Sequence, residues 1–474
     1  MIFTFFFILF CLIQVRSLIT LLVSYFKTPG IEMPIDPPAT LPGVLIQLPA
    51  YNEGWEIVAA FTAALQQNYS SDKLAIQIID DSAEQSDELI HHLTTLAGQF
   101  NIDFAYLRRS DRNGFKAGAL NYGMQFSQHE LIVILDCDFI ISPDFIRKCV
   151  TRFSDPRVAG VQTRWTYRND FQNPVITAQS TIFETIFVLE QEVRNRLNFP
   201  ALFTGTSGIW RRKVIEEVGG WKEEPFTAED IDMSFRSYSQ GYGYIFIDEA
   251  LSSCEATPNF IAFKHQQQRW SRGVWQAGTD NLRGVLRARQ SLQSKFLEIS
   301  NLLINMLPVI ILLSVISLAI EFLIGTSFSK SVEYMQIAFI VLLLFGPTAI
   351  SIYYAVQKHC PDFNRSKRIK FIQANFLAVG LGFAIIYGVL EAMIKSKKEF
   401  VVTPKGNNKA SFKNSRKKWL SSSYLITILE AISSLFFGYM AIHLFGISLF
   451  PAILFGFISV SATFCFFTSL KWQI

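Results

Sequence analysis

The chain has 474 residues, half of them hydrophobic and only 17% charged, with a net charge of +4 from 43 basic and 39 acidic side chains. An average soluble domain carries roughly 25% charged residues. With a mean hydropathy of +0.27, this composition excludes a disordered chain, a collagen and an ordinary cytosolic enzyme. The charge excess is too mild to imply a nucleic-acid partner, and 44 phenylalanines suit contact with lipid better than a compact soluble core.

Residues 1–26 read MIFTFFFILFCLIQVRSLITLLVSYF, long enough to span a bilayer, which takes about 20 apolar residues. A secretory signal would have a basic start and small residues at a cleavage site. Neither is evident, so a retained anchor is expected, in which Arg16 must snorkel or face protein. A proline-rich linker, 27–43, follows. From 44 to 290 the texture is globular: the β-rich runs VLIQLPA, IQIIDDS, IDFAYLRR and LIVILDCDF alternate with helical stretches. That pattern predicts a parallel sheet with crossover helices, and near-continuous apolar strands such as LIVIL are what burial on both faces requires.

Long apolar runs return at about 301–324, 335–356, 372–394, 423–445 and 447–470. The segment 357–371 holds Lys358, Arg365, Lys367, Arg368 and Lys370 against Asp362, and 395–419 is more basic still, with Glu399 its only acid. Positive segments stay on the cytoplasmic side. Both can do so only if 372–394, which contains Gln373, Asn375 and Glu391, is an interfacial or re-entrant helix. Five crossings are therefore expected, with the globular domain and the C-terminus inside. The six cysteines (Cys11, Cys137, Cys149, Cys254, Cys360 and Cys465) show no Cys-x-x-Cys spacing. They read as small buried hydrophobes in a reducing compartment rather than a zinc or redox site.

Four groups could carry chemistry. Asp80-Asp81 closes a strand, where α/β sheets bind ligands; it could hold a ribose hydroxyl or a metal, or cap a helix. Asp136-Cys137-Asp138 closes the buried strand LIVIL; a divalent cation on a diphosphate would neutralise the pair, the alternative being an exposed acidic turn. Thr227-Ala228-Glu229-Asp230 precedes the helical stretch IDMSFRSYSQ and offers either a proton acceptor or first-turn acids matched to the helix dipole. In Gln266-Gln267-Gln268-Arg269-Trp270, Arg269 suits phosphate oxygens and Trp270 a sugar face, although a membrane-interface Trp–Arg pair reads the same way. Arg112 and Lys116 could add positive charge.

Taken in order, Asp-Asp, Asp-x-Asp, Glu-Asp and Gln-x-x-Arg-Trp ahead of membrane helices resemble the processive family 2 glycosyltransferases of the cellulose synthase superfamily. The likeness is greatest to the cellulose-synthase-like (type A/C) mannan and glucan synthases and their bacterial relatives. Pro49-Ala50-Tyr51-Asn52-Glu53, Lys116-Ala117-Gly118-Ala119, the segment from Thr204 to Arg211, and Phe400-Val401-Val402-Thr403-Pro404-Lys405 match further motifs, the last a cytoplasmic gating loop. Ala228 departs from the threonine common before Glu-Asp. The chain also stops soon after its last apolar run, so regulation through a cyclic-dinucleotide-sensing domain is not expected.

The resemblance implies an α/β GT-A domain with a Rossmann-like mixed sheet plus a transmembrane helical region. Within it, 44–290 would be the catalytic domain, 301–356 two spans, 372–394 the interfacial helix, 395–421 the gating segment and 423–470 two more spans. It implies that Tyr51, Glu53, Asp81, Lys116, Arg269, Thr403 and Lys405 bind the nucleotide. Asp136 and Asp138 would coordinate Mg2+ or Mn2+, with Asp230 the general base, and Trp270, Gln266, Gly205, Thr206 and Glu229 would line the acceptor. The implied activity is inverting hexosyl transfer from UDP-glucose or GDP-mannose to a growing β-linked polysaccharide that the chain translocates. A non-processive glycolipid synthase acting on ceramide or diacylglycerol is the alternative, and a non-catalytic channel or scaffold a remote one. The resemblance fits a bacterial inner or plasma membrane, or the Golgi, and leaves the oligomeric state open.

Overall fold

Eight strands pair into one sheet in this computed structural model: β1 Val44–Ala50, β2 Leu74–Asp80, β3 Asp103–Arg108, β4 Leu131–Ile134, β5 Ile140–Ile141, β6 Val158–Tyr167, β7 Gly208–Arg211 and β8 Gly243–Cys254, in the order 3-2-1-4-7-6-8-5 across the sheet. The structure describes residues 2–26, 40–84, 86–168, 173–197, 199–223, 228–324, 338–339, 346–359, 369, 372–373, 376–377, 380–394, 409–445 and 449–473.

The first four strands run parallel, as their apolar composition predicts. Helices Ile57–Leu65, Asp87–Phe100 and Phe115–Met124 make the crossovers. Their inward residues Phe61, Leu93 and Leu120 pack with Ile46, Ile76 and Val133 of the strands in one continuous core. The far half of the sheet departs from the parallel pattern: β7 lies antiparallel to both β4 and β6, and β5 antiparallel to β8. This antiparallel insertion matters, because it brings the segment before β7 back to the edge where β1, β2 and β4 end.

The 28-residue helix Phe260–Arg287 leads from this domain to the apolar helices. Asn259 caps it, its Oδ1 accepting from the amides of Ile261 and Ala262. Helices Leu292–Asn305, Leu307–Leu323, Pro347–His359, Gly382–Met393, Lys409–Phe445 and Leu449–Gln473 follow. Pro308 stands in the first turn of its helix, where its missing N–H is no loss. Among the described residues, helices at Ile2–Tyr25, Tyr424–His443 and Ala452–Leu470 are long and apolar enough to cross a membrane. The N-terminal one turns Ile2, Phe5, Ile8, Leu12, Val15 and Ile19 outward, while Phe3, Phe10, Ile13 and Arg16 are buried against the rest. That division matches an apolar solvent outside and packed protein within.

Two buried polar contacts tie the helices of this region together. Lys264 reaches Glu430 at 2.5 Å and Ser469 Oγ at 2.7 Å. Gln268 donates to Glu391 at 2.8 Å, which fastens Gly382–Met393 to Phe260–Arg287. Gly388 lets these two helices touch backbone to backbone: a Cβ there would collide with the Gln268 carbonyl and Ser271 Oγ. Among the described residues the cysteines form no disulfide; Cys137, Cys149, Cys254 and Cys465 are buried, in keeping with their reading as small hydrophobes.

Candidate active site

Because β1, β2 and β4 are parallel neighbours, their C-terminal ends share one edge of the sheet. The Asp81 amide donates to the Ala50 carbonyl at 3.0 Å and the Asn52 amide to Ser82 Oγ at 2.7 Å, which ties the first two exits together. Asn52 takes a left-handed φ of 59° to make that turn. Antiparallel β7 starts where β4 ends, with the Ser207 amide on the Ile134 carbonyl at 2.8 Å. Residues 201–207 therefore run past Asp136.

On the β1–β2–β3 side, Tyr51 lies under Arg112, whose guanidinium is 3.3 Å from the ring centre. Asp81 is bound by both prongs of Arg109, Nε at 2.7 Å to one oxygen and Nη2 to the other. The same guanidinium donates to the carbonyls of Asn113 at 2.8 Å and Phe115 at 3.0 Å. Asp80 points the other way and accepts from the Tyr106 hydroxyl at 2.6 Å. Of the acidic pair, then, Asp81 faces, through Arg109, the turn that leads into the helix carrying Lys116. Glu53 sits at the entry to the short turn Gly54–Glu56.

At the β4 exit, Lys116 Nζ donates to Asp136 Oδ1 at 2.5 Å and to the Gly205 carbonyl at 2.8 Å, and stands 4.0 Å from Glu229. Burial opposes the charge on Lys116, but Asp136, Glu229 and Asp230 outweigh it and hold its pKa above the usual value. The Asp136 amide donates to Thr206 Oγ1 at 2.9 Å. Glu229 and Asp230 open the helix Glu229–Ser239. Asp230 Oδ2 would be 3.1 Å from a Cβ at Gly205, whose φ of +87° already favours glycine. Burial, then the charge of Glu229, pushes the Asp230 carboxyl up to about 7, against the Ile231 amide and Lys116. Arg269 is close enough for Glu229, Asp136 and Asp230 to oppose the lowering of its pKa by burial. One cluster thus gathers Lys116, Asp136, Gly205, Thr206, Glu229, Asp230 and Arg269, residues more than 150 positions apart at the extremes.

Trp270 meets Phe183 edge-on, with ring centres 5.5 Å apart. Gln266 is buried, its Oε1 without a hydrogen-bond partner among the described residues. The Asp138 carbonyl accepts from Arg168 at 3.3 Å. Thr227, Thr403 and Lys405 lie outside the described residues.

Two residues escaped the sequence reading. Arg109 is the basic residue directly after β3, and the strand-end logic applied to β2 and β4 points to that position as well. Gln162, fully buried in β6, holds residues 204–207: its Oε1 accepts from the Thr204 amide at 3.1 Å, and its Nε2 reaches the carbonyls of Thr206 at 3.2 Å and Ser207 at 3.1 Å. A glutamine directly after the apolar run Val158-Ala159-Gly160-Val161 was the signal available.

Residues 131–356 match the family profile described as glycosyl transferase family group 2. Over 237 residues the chain is 35% identical to "Probable glucomannan 4-beta-mannosyltransferase 15" of Arabidopsis thaliana, covering 49% of this chain and 44% of that one. It is 36% identical over 241 residues to "Probable glucomannan 4-beta-mannosyltransferase 6" of Oryza sativa subsp. japonica, covering 50% and 42%. The aligned segment thus spans less than half the length of these curated relatives. In structure the chain is similar to a mannosyltransferase, PcManGT of Pyrobaculum calidifontis, solved with GDP-Man and Mn2+: TM-score 0.55, 16% identity, 83% of this chain and 99% of that one. The fold is accordingly GT-A, and residues 131–356 are similar to glycosyl transferase family group 2.

Proposed function

We propose that this chain is an inverting β-hexosyltransferase, embedded in a membrane, that moves mannose from GDP-mannose to a β-linked polysaccharide. The observation that carries the reading is Asp230, a buried carboxyl raised to about 7, beside the basic pair Lys116 and Arg269 at the strand ends. The relatives' names favour mannose over the glucose of UDP-glucose. Tyr51, Glu53 and Asp81 receive the nucleoside, Asp81 through a carboxylate fixed by Arg109. Lys116 and Arg269 lie against the diphosphate, and Thr403 and Lys405 close over it. Trp270, Gln266, Gly205, Thr206 and Glu229 seat the acceptor.

Asp136 and Asp138, separated by one residue, suit a divalent cation whose other ligands are phosphate oxygens and water. Among the described residues no set of three acidic, His or Cys side chains makes an all-protein cage, which fits an ion shared with the donor. Mg2+ or Mn2+ bound there would neutralise charge on the departing diphosphate. Asp230 takes the proton of the acceptor hydroxyl as that oxygen bonds to the anomeric carbon. The bond from that carbon to the diphosphate breaks on the opposite face, so an α-linked donor becomes a β-linked product. Holding base, acceptor and donor in one geometry supplies much of the acceleration.

In this reading the chain crosses the membrane five times, at 1–26, 301–324, 335–356, 423–445 and 447–470, with 44–290 cytoplasmic, 372–394 interfacial and 395–421 the gating segment. The polymer leaves between the spans. A bacterial inner or plasma membrane or the Golgi would house it.

The test uses purified protein in nanodiscs with Mn2+ and labelled GDP-mannose or UDP-glucose, following nucleotide release and product size. High-molecular-weight, β-mannanase-sensitive product from GDP-mannose is expected. Label confined to an organic-extractable lipid would replace the polymer with a glycolipid product, and no turnover of either donor would overturn the reading. Because the Glu229 charge raises Asp230, Glu229→Gln should move the acidic limb of the kcat–pH profile to lower pH. A limb that stays near 7 would separate Asp230 from the rate-determining proton transfer.

A further inference from the structure

Arg16 is buried in the N-terminal apolar helix, and its partner lies 174 positions away. Nη1 and Nη2 each reach a Glu190 oxygen at 2.5 Å, and Nε donates to Ser300 Oγ at 2.7 Å. Glu190 belongs to a single π turn, Ile186–Gln191, between the helices Pro174–Thr185 and Glu192–Arg196. A π turn inserts one residue and re-aims the side chains beside it. The next residue, Gln191, is 1% exposed. Its Nε2 donates to the Leu202 carbonyl at 2.5 Å, and its Oε1 accepts from the Leu202 amide at 2.9 Å. One side chain thus pins both backbone groups of a residue three positions before Gly205. Arg194 adds a donation to the Pro200 carbonyl at 3.1 Å and an ion pair with Glu298 at 2.5 Å. Arg196 donates to the Ser24 carbonyl, at the end of the apolar helix, at 2.9 Å.

We infer that Glu190 and Gln191 are positioning residues, through which the N-terminal membrane helix sets residues 201–207 against Lys116 and Asp136. The path is continuous: Arg16 to Glu190, Gln191 to Leu202, then the Gly205 carbonyl to Lys116 and Thr206 Oγ1 to the Asp136 amide. It concerns how the acceptor side is held, and its kinetic arm rests on the transferase reading above.

The test is hydrogen exchange of the full-length protein in nanodiscs, alongside kinetics with GDP-mannose and Mn2+. Arg16→Leu and Gln191→Leu should speed exchange at the amides of 202–207 while β1 and β2 stay protected. kcat should fall on the order of 10–100-fold with donor KM unchanged, since a small misplacement costs that much. The double variant Arg16→Leu/Glu190→Leu removes the uncompensated carboxylate. It should remain defective if the tie itself matters; recovery would mean that the single variant suffered only from a buried charge, and would overturn the inference. So would faster exchange confined to 2–26 and 186–196, or a fall in kcat with 202–207 unchanged. If Arg16→Leu does not fold, Arg16→Lys keeps the charge, loses the two-pronged bond and carries the same expectations. Faster exchange at 202–207 in a protein that turns over neither donor would support the coupling while refuting the transferase reading.

Discussion

Replacing Asp230 with asparagine is expected to lower kcat by on the order of 10²–10⁴-fold, the usual worth of a general base. The change is nearly isosteric and keeps an oxygen for the Ile231 amide, which donates to Asp230 at 2.9 Å. What is lost is the capacity to take a proton. Donor affinity should hold or rise, because one negative charge leaves the neighbourhood of Lys116 and Arg269, the two cations proposed to face the diphosphate. Single-turnover rates and donor titration on the same preparation separate these effects. A variant that turns over within about tenfold of the parent would deny Asp230 its role as base, and Glu229, beside it, would be the next carboxylate to remove.

The second large effect concerns stability. Lys264 and Glu430 are 2% and 0% exposed and 2.5 Å apart. Removing one partner of such a pair strands a charge away from water and typically costs about 3–5 kcal/mol, whereas replacing both by apolar groups is often neutral. Lys264→Met should therefore lower the Tm sharply in nanodiscs, and Lys264→Met/Glu430→Met should recover most of the loss. Ser469, 2.7 Å from Lys264, would keep its own bond to the Cys465 carbonyl. If the double variant is as unstable as the single, the site depends on hydrogen bonding that methionine cannot supply.

The parallel half of the sheet was legible because its strands are short and mostly apolar, and two of them, β2 and β4, run into acids. Burial on both faces and a charged exit are local properties, visible one segment at a time. The cluster around Asp230 was legible as an ordered series of motifs, although no single member would have been convincing. The mixed half, where β6 and β8 are parallel and β7 and β5 are not, was harder. β7 is only four residues, Gly208–Arg211, and nothing in that run states that it lies between β4 and β6. Arg109 went unseen for a related reason: its bond to Asp81 depends on the pairing of Asp80 with Arg108 across β2 and β3, a non-local register. Arg16 is the intermediate case. Its sequence requires it to snorkel or to face protein, since an arginine amid lipid-facing residues is costly, and folding shows that it faces Glu190.

Gly388 has a mechanical meaning. Where two helices touch through backbone at a glycine, neither can slide along its axis or roll without lifting off the other. The helix that carries Arg269 and Trp270 and the helix Gly382–Met393 are joined in this way at Gln268, Ser271 and Gly388. Motion of the second helix is therefore expected to reach Arg269 and Trp270 as tilt, not as sliding. A bulky residue at 388 would push the two helices apart at Gln268 and Ser271 and so shift Arg269 and Trp270, their neighbours on the same helix.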